Sequence, residues 1–375
     1  MQFRDLKKQY EVLKPEIDAG ILEVINSTSF ILGKTVTELE TKLADYVGRK
    51  HCVACASGTD ALFLSLKAMN IGAGDAVFTS DFTYFASAGS ISIVGATPVP
   101  VDIDLRTFNM SADALERQIQ KVLREGKLTP KAIIPVDLFG LPADYTKILP
   151  IAEKYGLKVL EDAAQGFGGM ISGKRTCAFG DIGATSFFPA KPLGCYGDGG
   201  AIFTDDDAIN ERLRSLRANG RSPEDKYDNR EVGFNSRLDT MQAAILLPKF
   251  KAFAEHEIAD VNRAAAWYNQ RLEDKVVTPY IPEGFVSSWA QYSILLASPE
   301  QRTAVQKALK EQGVPSMLYY PRGIHQQGAY KDMHLNDQDY PNTIQATQRV
   351  LSLPMHPYLE ESDVAFVTDI IRRTI

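Results

Sequence analysis

Between residues 51 and 204 the sequence alternates short apolar runs with longer amphipathic stretches, and this alternation limits the folds open to the chain. The apolar runs have the composition of buried strands: Cys52–Ala56, Ala76–Thr79, Thr97–Val101, Ala132–Val136, Lys158–Glu161, Gly183–Phe187 and Ala201–Phe203. Most are separated by helical stretches such as Ala61–Met69, Ala112–Glu125 and Tyr145–Tyr155. This pattern is typical of a mostly parallel sheet covered by helices on both faces. The sequence therefore predicts an α/β fold.

The length of the chain suggests two domains. With 375 residues, 45% of them hydrophobic, the chain is able to bury a large core. We expect a large sheet domain over residues 1–245, including two amphipathic lead-in helices, and a smaller C-terminal α/β domain over residues 246–375. A long helix from about Ala243 to Leu272 is predicted to link them.

Charge and motif content exclude several classes of protein. The net charge of −6 argues against nucleic acid or an anionic membrane as a partner. No apolar run approaches the ~20 residues of a membrane span, and the charged N-terminal stretch lacks a signal-peptide pattern, so we expect a cytoplasmic protein. No G-x-G-x-x-G opens a helix and no G-x-x-x-x-G-K-S/T occurs, which argues against dinucleotide enzymes and P-loop nucleotide triphosphatases.

The cysteines do not indicate a disulfide framework or a metal site. Cys52 and Cys55 form a single C-x-x-C, and Cys177 and Cys195 stand alone. A structural zinc site would need a second such pair or histidines at ligand spacing. We therefore expect four buried, reduced thiols and no bound metal.

The stretch Thr185–Thr204 places one lysine, Lys191, in a bend between two strand-like runs. Its prolines and glycines exclude a helix between the runs, so the lysine lies on an ordered loop. A partly desolvated lysine has a lowered pKa, and its amine is then the nucleophile that a carbonyl cofactor such as pyridoxal 5′-phosphate (PLP) requires. A solvated loop lysine is the alternative interpretation.

Two further segments at strand ends fit the same chemistry. Asp162 follows a buried strand, where a carboxylate is able to keep a pyridine nitrogen protonated or simply to cap the next helix. In Ala56–Leu62, Gly58 and Thr59 open a helix whose free amides favour a phosphate, although the segment also reads as an ordinary N-cap. Along the chain, a helix start that favours a phosphate is followed by a carboxylate and then by a lysine, each at the end of a strand. This order indicates a PLP site.

Long sequence blocks extend this pattern over nearly the whole chain: FILGKTVTELE, CASGTDAL, DFTYFASA, PVDIDLRTFN, IIPVDLFG, VLEDAAQGFGG, SFFPAKPLGCYGDGGAIFT, GFNSRLDTMQAAIL, YYPRGIHQQ and LSLPMHPYL. The chain resembles the DegT/StrS family of PLP-dependent nucleotide-sugar aminotransferases, which have the aspartate aminotransferase fold (fold type I). Within that family it is similar to enzymes that aminate the third carbon of a UDP-linked keto sugar or keto uronic acid.

The resemblance implies a set of cofactor residues. Lys191 would bind PLP covalently, Asp162 would face the pyridine nitrogen, Tyr84 would stack on the ring, and Gln165 would bond the ring oxygen. The alternative interpretation of Tyr84 is an ordinary aromatic residue of the core. The phosphate would be held by Gly58, Thr59, Asp60 and Ser186, together with Asn235 reaching across from the partner subunit.

The resemblance also implies substrate residues, namely Thr28, Phe30, Arg237, Tyr319, Tyr320 and His325. The alternative interpretation of Thr28 and Phe30 is a turn that only joins two helices. Arg237 would clamp a carboxylate of the sugar or of glutamate, or else form an interfacial ion pair. Arg322 and Gly323 depart from the apolar residues and proline more usual in the family, which leaves the sugar's identity open.

We therefore expect a homodimeric aminotransferase with shared active sites. It would transfer an amine from L-glutamate to a nucleotide-linked 3-keto sugar, favoured here as UDP-2-acetamido-2-deoxy-ribo-hex-3-uluronic acid, for surface polysaccharide (O-antigen). The alternatives are a neutral acceptor (UDP-3-keto-N-acetylglucosamine or a dTDP-3-keto-deoxyhexose), a PLP-dependent sugar dehydratase, and a non-catalytic sensor. A histidine replaces the lysine in the dehydratase branch, and a sensor would need a fused module that the sequence does not show.

Overall fold

The computed structural model describes residues 1–225 and 227–375. Within them the α-helices are α1 (Leu6–Ser27), α2 (Lys34–Val47), α3 (Gly58–Ala68), α4 (Ala86–Ile93), α5 (Ala112–Glu125), α6 (Tyr145–Tyr155), α7 (Asp207–Leu216), α8 (Thr240–Ala252), α9 (Ile258–Leu272), α10 (Pro299–Glu311), α11 (Pro341–Arg349) and α12 (Glu361–Thr374). The strands are β1 (His51–Cys55), β2 (Asp75–Ser80), β3 (Thr97–Val101), β4 (Thr129–Ile134), β5 (Lys158–Asp162), β6 (Met170–Ile171), β7 (Lys174–Arg175), β8 (Ile182–Ser186), β9 (Gly200–Thr204), β10 (Phe285–Val286), β11 (Tyr292–Leu295) and β12 (Val350–Leu353).

The central sheet has seven strands in the order β1-β9-β8-β5-β4-β2-β3. The pairs β2–β3, β2–β4, β4–β5 and β5–β8 are parallel, whereas β9 is antiparallel to both of its neighbours. A parallel return from β8 would need a crossover helix, and the Pro- and Gly-rich segment between β8 and β9 does not form one. The sheet confirms the predicted mostly parallel α/β fold.

Alternate residues of the strands pack into different cores, as the pleat of a sheet requires. On β1, Val53 and Cys55 pack with α3, whereas Cys52 and Ala54 pack with α2 and α8. The sheet is therefore covered on both faces. The polar residues that follow its strands are left at one edge, where open α/β sheets bind ligands.

The C-terminal part of the chain has its own core around the ribbon β11–β12, which α9, α10 and α12 cover. The predicted linking helix is interrupted by a turn of π-helix at Phe253–Glu257 between α8 and α9. Phe250 and Phe253 pack with Leu39 in the core of the large sheet. The division into 1–245 and 246–375 stays a prediction, and this packing supports a boundary nearer the π turn.

All four cysteines are buried and free. Cys52 and Cys55 lie in cores on opposite faces of the sheet, so they are not arranged to ligate one metal ion. Burial raises the pKa of both thiols. Among the described residues no group of three or more His, Cys, Asp or Glu side chains is placed to hold a metal, and no helix is long and apolar enough to cross a membrane.

Candidate active site

The loop that joins β8 to β9, residues 187–199, carries Lys191 and is called the lysine loop here. Its backbone is fixed by hydrogen bonds from Lys191 N to Phe188 O (2.9 Å), Cys195 N to Phe187 O (2.8 Å) and Phe187 N to Gly199 O (2.7 Å). Such bonds hold a loop without helix or strand and make it a defined platform. The structure therefore places the lysine on an ordered loop, as the sequence predicted.

The Lys191 side chain is partly buried. Burial lowers its pKa to about 8, an effect that Asp162 opposes and the positive charge of Arg4 reinforces. An amine with a pKa near 8 is unprotonated for a useful fraction of the time at neutral pH, so it is able to act as a nucleophile and a base. A freely solvated lysine would lack this property.

Asp162 ends β5 with a side chain that is almost wholly buried. Its carboxylate accepts hydrogen bonds from Ser87 Oγ at 2.8 Å and from Ala164 N at 3.2 Å. Burial raises the pKa of Asp162, while these donors and the charge of Lys191 stabilise the carboxylate form. Turns follow it and the next α-helix begins only at Asp207, so Asp162 does not cap a helix.

The start of α3 and the end of β8 form a cup lined with glycine, the glycine cup. A Cβ on Gly58 would lie 2.5 Å from the Cβ of Ser186, and one on Gly200 would lie 2.4 Å from the carbonyl oxygen of Ser57. Ser57 does cap α3, accepting from Asp60 N at 3.0 Å, but the N–H groups of Gly58 and Thr59 have no intrahelical acceptor. The cup thus offers donors to an anion.

Ser186 and β9 complete the glycine cup. The Ser186 hydroxyl accepts from Phe188 N at 3.2 Å, so its own proton remains available to a ligand. Antiparallel β9 places Gly200 opposite both Ser186 and Cys55 at the same sheet edge.

The segment that carries Asn235 and Arg237 is tied to the start of α3 by the serine between them. Ser236 Oγ donates to Asp60 Oδ2 at 2.6 Å and accepts from Ala56 N at 3.2 Å. Asn235 is exposed, whereas Arg237 is partly buried and has no ion-pair partner among the described residues. An intramolecular ion pair therefore does not account for Arg237, and its role and that of Asn235 stay predictions.

Gln165 and Tyr320 are joined directly, which the sequence did not reveal. Gln165 Nε2 donates to the Tyr320 hydroxyl at 2.8 Å, and its Oε1 accepts from Phe139 N at 2.8 Å. The amide is thereby oriented with one N–H left for a ligand. The Tyr320 ring lies 6.4 Å from that of Tyr84, whose side chain is 58% exposed. Tyr84 therefore has a free face and is not a core aromatic.

His325 is held more tightly than a sugar contact requires. Its Nδ1 lies 2.6 Å from Asp81 Oδ2 and its Nε2 lies 3.0 Å from Asp337 Oδ1, and the side chain is 1% exposed. Burial disfavours its charge, but the bonds to the two carboxylates outweigh burial and raise the pKa of His325. Neither ring nitrogen is free for a sugar, so the ring fastens the loop after β2 to the segment around Tyr320.

The predicted turn at Thr28–Phe30 does lie beside the Arg237 segment. Thr28 ends α1 in the left-handed conformation (φ 53°), and Phe30 O accepts from Thr240 N at 2.9 Å. Thr28 and Phe30 are exposed, and Tyr319 is partly buried with its ring 6.1 Å from that of Phe3. The turn therefore joins two helices and leaves exposed side chains beside the segment that carries Arg237. The role of Thr28 and Phe30 in binding the sugar stays a prediction.

Sequence reasoning missed two residues that support the lysine and the carboxylate. Ser87, the donor to Asp162, lies three residues after Tyr84. The turn that begins α4 brings both residues to the same edge of the central sheet. Arg4 donates from Nη2 to Pro192 O at 3.0 Å. No local pattern signals either contact, because each one joins distant parts of the chain.

The geometry and the fold together define a PLP-dependent transferase of fold type I, with the lysine on a hairpin loop and the carboxylate at the end of a neighbouring parallel strand. Residues 11–372 match the DegT/DnrJ/EryC1/StrS aminotransferase family. The chain belongs to this family, whose aminotransferases depend on PLP. The predicted family, enzyme class and cofactor are thereby confirmed.

Three relatives illustrate the similarity. The chain is 46% identical over 98% of its length to the UDP-2-acetamido-2-deoxy-3-oxo-D-glucuronate aminotransferase of Pseudomonas aeruginosa, of which it covers 98%. It is 42% identical over 99% of its length to a UDP-N-acetyl-3-dehydro-α-D-glucosamine 3-aminotransferase of Acidithiobacillus ferrooxidans, of which it covers 97%. The crystal structure of an aminotransferase of the same family from Brucella abortus superposes with a TM-score of 0.96 at 47% identity, covering 100% of this chain and 99% of that one.

Proposed function

We propose that this protein transfers an amino group from L-glutamate to the 3-keto carbon of UDP-2-acetamido-2-deoxy-ribo-hex-3-uluronic acid, in the cytoplasm, for surface polysaccharide. The observation that carries the transaminase chemistry is the pair Lys191 and Asp162, an amine of lowered pKa coupled to a buried carboxylate. The uronate is favoured because a relative of that stated activity is 46% identical. Arg237, without an ion-pair partner among the described residues, adds support.

The residues of the site fit PLP. The glycine cup offers two amide donors and the Ser186 hydroxyl to a phosphate, and Asp162 offers a buried carboxylate to a protonated ring nitrogen. Tyr84 offers an exposed aromatic face, and Gln165 has one N–H free for a ring oxygen. When bound, PLP supplies an electron sink that stabilises negative charge on the carbon next to the amine.

The chain's own residues then have distinct tasks. Lys191 Nζ would take the proton from the substrate carbon bonded to the transferred nitrogen and return it to the carbon on the other side of that nitrogen. Asp162 would keep the pyridine nitrogen of bound PLP protonated, and the Ser87 and Ala164 donors hold its carboxylate in place. The N–H groups of Gly58 and Thr59 would anchor the phosphate and so fix the position of the reacting atoms relative to Lys191.

The rival classes fit less well. A sugar dehydratase of this family would carry histidine at position 191, and the lysine there supports amine transfer. A sensor would not need an amine whose pKa is lowered to about 8 beside a buried carboxylate. A neutral 3-keto sugar remains the second candidate acceptor, because a relative named for such a sugar is 42% identical.

We expect Arg237→Ala to lose discrimination between the uronate and the neutral keto sugar. A guanidinium–carboxylate contact contributes about 1.5–3 kcal/mol, which corresponds to roughly tenfold to a hundredfold in kcat/KM. The measurement is kcat/KM for both sugars at saturating glutamate. Arg124→Ala, which removes an exposed arginine from the end of α5, serves as the matched control and should leave the ratio unchanged.

A different outcome would reassign Arg237. If the variant keeps its preference for the uronate but needs a much higher glutamate concentration, the guanidinium binds the donor's carboxylate instead. If both sugars and glutamate are unaffected, Arg237 has no part in substrate binding.

We further propose a homodimer in which Asn235 reaches the cofactor phosphate of the other subunit. Asn235 is exposed and lies beside the glycine cup through Ser236. The turn after α1 carries three exposed apolar side chains, Phe30, Ile31 and Leu32, and the lysine loop carries a further one, Phe188, as a subunit interface requires.

Mixing two inactive variants tests the shared site. After Lys191→Ala and Asn235→Ala are unfolded and refolded together, half of the dimers are mixed, and one of the two sites in each is intact. About a quarter of wild-type activity should return. Lys191→Ala mixed with Asp162→Asn is the control, because both residues belong to one chain's site and no site is repaired. Absence of recovery in the first mixture would show that each chain builds its own site.

A further inference from the structure

The N-terminal residues Phe3–Asp5, called the N-terminal strap here, cross between the C-terminal core and the lysine loop. Phe3 O accepts from Met355 N at 3.1 Å, and the Phe3 ring lies 6.1 Å from that of Tyr319. Asp5 caps α1 by accepting from Lys8 N at 2.8 Å. Both neighbours of Arg4 are therefore fixed, and its side chain has a defined position.

Arg4 points its guanidinium at the residue next to Lys191. Its Nη2 donates to the carbonyl oxygen of Pro192 at 3.0 Å. The two residues are 188 positions apart in the sequence, and their bond connects the lysine loop to the segment that precedes α1. The guanidinium is therefore bonded to the backbone of the residue that directly follows Lys191, the amine that the proposed chemistry uses.

The surroundings of Arg4 keep it charged. Burial lowers its pKa to about 10, which still leaves it protonated at neutral pH, and Glu257 favours the cation. Glu257 is itself held by Gln9 Nε2 at 3.0 Å and by the Tyr358 hydroxyl at 2.8 Å. The titratable groups that face Arg4 or Lys191 from the packed elements are Glu257, Tyr358, Lys249, His356 and Asp162.

We propose that Arg4 is a positioning residue for Lys191, holding the lysine loop through the Pro192 carbonyl and favouring the neutral amine by its charge. This rests on the proposed role of Lys191 as nucleophile and proton carrier. Burial is the main cause of the lowered pKa of Lys191, the charge of Asp162 opposes it, and the charge of Arg4 acts in the same direction as burial. A positive charge near an amine disfavours protonation, which keeps the base active at neutral pH.

The test measures the amine itself. In the full-length protein freed of cofactor, the rate at which Lys191 is acetylated is followed by mass spectrometry as a function of pH, and the midpoint gives its pKa. Arg4→Gln should raise this pKa by about 0.5–1 unit, which slows acetylation at neutral pH roughly threefold to tenfold. Arg4→Lys, which keeps the charge, should stay near the wild-type value.

Two further variants sharpen the comparison. Lys8→Gln removes a positive charge from an exposed position in the first turn of α1 and should leave the Lys191 pKa unchanged. If Arg4→Gln has no cooperative unfolding transition, Arg4→Met is measured in its place, because methionine keeps the apolar part of the arginine side chain and also removes the charge. An unchanged pKa in a folded neutral variant overturns the proposal, and so does an equal shift in Arg4→Lys and Arg4→Gln.

The readout is separate from transamination. Acetylation of Lys191 needs neither PLP nor substrate, so the effect of Arg4 is measured even if the protein has another activity. Conversely, if the protein is an active transaminase and the pKa of Lys191 is the same in Arg4→Gln as in the wild type, this inference is refuted and the proposed function is not.

Discussion

Lys191→Ala is expected to abolish amine transfer, with a loss of at least about 10³-fold, and to remove the visible absorption band of the bound cofactor. The amine is the covalent attachment point and the proton carrier in the proposed chemistry, so no other group of the site replaces it. The measurements are the absorption spectrum of the purified variant with added PLP and its rate of reaction with glutamate. A variant that keeps turnover near the wild-type rate would contradict the role of Lys191.

Lys249→Met provides a matched control, because Lys249 is a second buried lysine whose pKa burial lowers to about 8. It lies on α8 with its Nζ 4.7 Å from the centre of the Tyr196 ring, and no carboxylate forms an ion pair with it among the described residues. Low basicity is therefore shared by the two lysines, whereas the position beside Asp162 belongs to Lys191. The Lys249 variant should keep the absorption band.

Asp162→Asn is expected to bind PLP and yet react with glutamate at least about 10²–10³-fold more slowly. The side chain keeps its shape and its neighbours Ser87 and Ala164, so the fold should hold. An amide does not stabilise a protonated pyridine nitrogen, and the electron sink is weakened. The rate of the glutamate half-reaction, measured by stopped-flow absorbance, reports this loss.

Ser87→Ala is the graded comparison for Asp162. It removes one of the two hydrogen bonds to the carboxylate and should slow the same half-reaction far less, by roughly tenfold. A Ser87 variant as slow as Asp162→Asn would mean that the position of the carboxylate, and not its charge, limits the reaction. An Asp162→Asn protein with wild-type rate would remove Asp162 from the proposed mechanism.

The features that could be predicted from the sequence are those with a local signal. Apolar runs located the strands of the central sheet, and Pro and Gly located the lysine loop, because both depend on neighbouring residues. The direction of β9 had no such signal, yet it is what places Gly200 against the start of α3. Local patterns define elements, and packing decides how they pair.

Contacts between distant segments were beyond the reach of the sequence. His325 was expected beside the sugar, but its bonds to Asp81, 244 positions away, occupy the ring. The support of the lysine loop by Arg4 and of Asp162 by Ser87 is of the same kind. Such residues carry no motif, since a guanidinium or a hydroxyl finds its partner only once the sheet is assembled.

Single-turnover amination of the two candidate sugars tests the proposed function most directly. The PLP-loaded protein is converted with L-glutamate to the pyridoxamine form, freed of glutamate, and mixed separately with the UDP-linked 3-keto uronate and with UDP-3-keto-N-acetylglucosamine. The return of the visible band gives the rate for each sugar. We expect the uronate to react at least about tenfold faster, as a guanidinium–carboxylate contact predicts. Equal rates, or no conversion by glutamate at all, would contradict the proposed function.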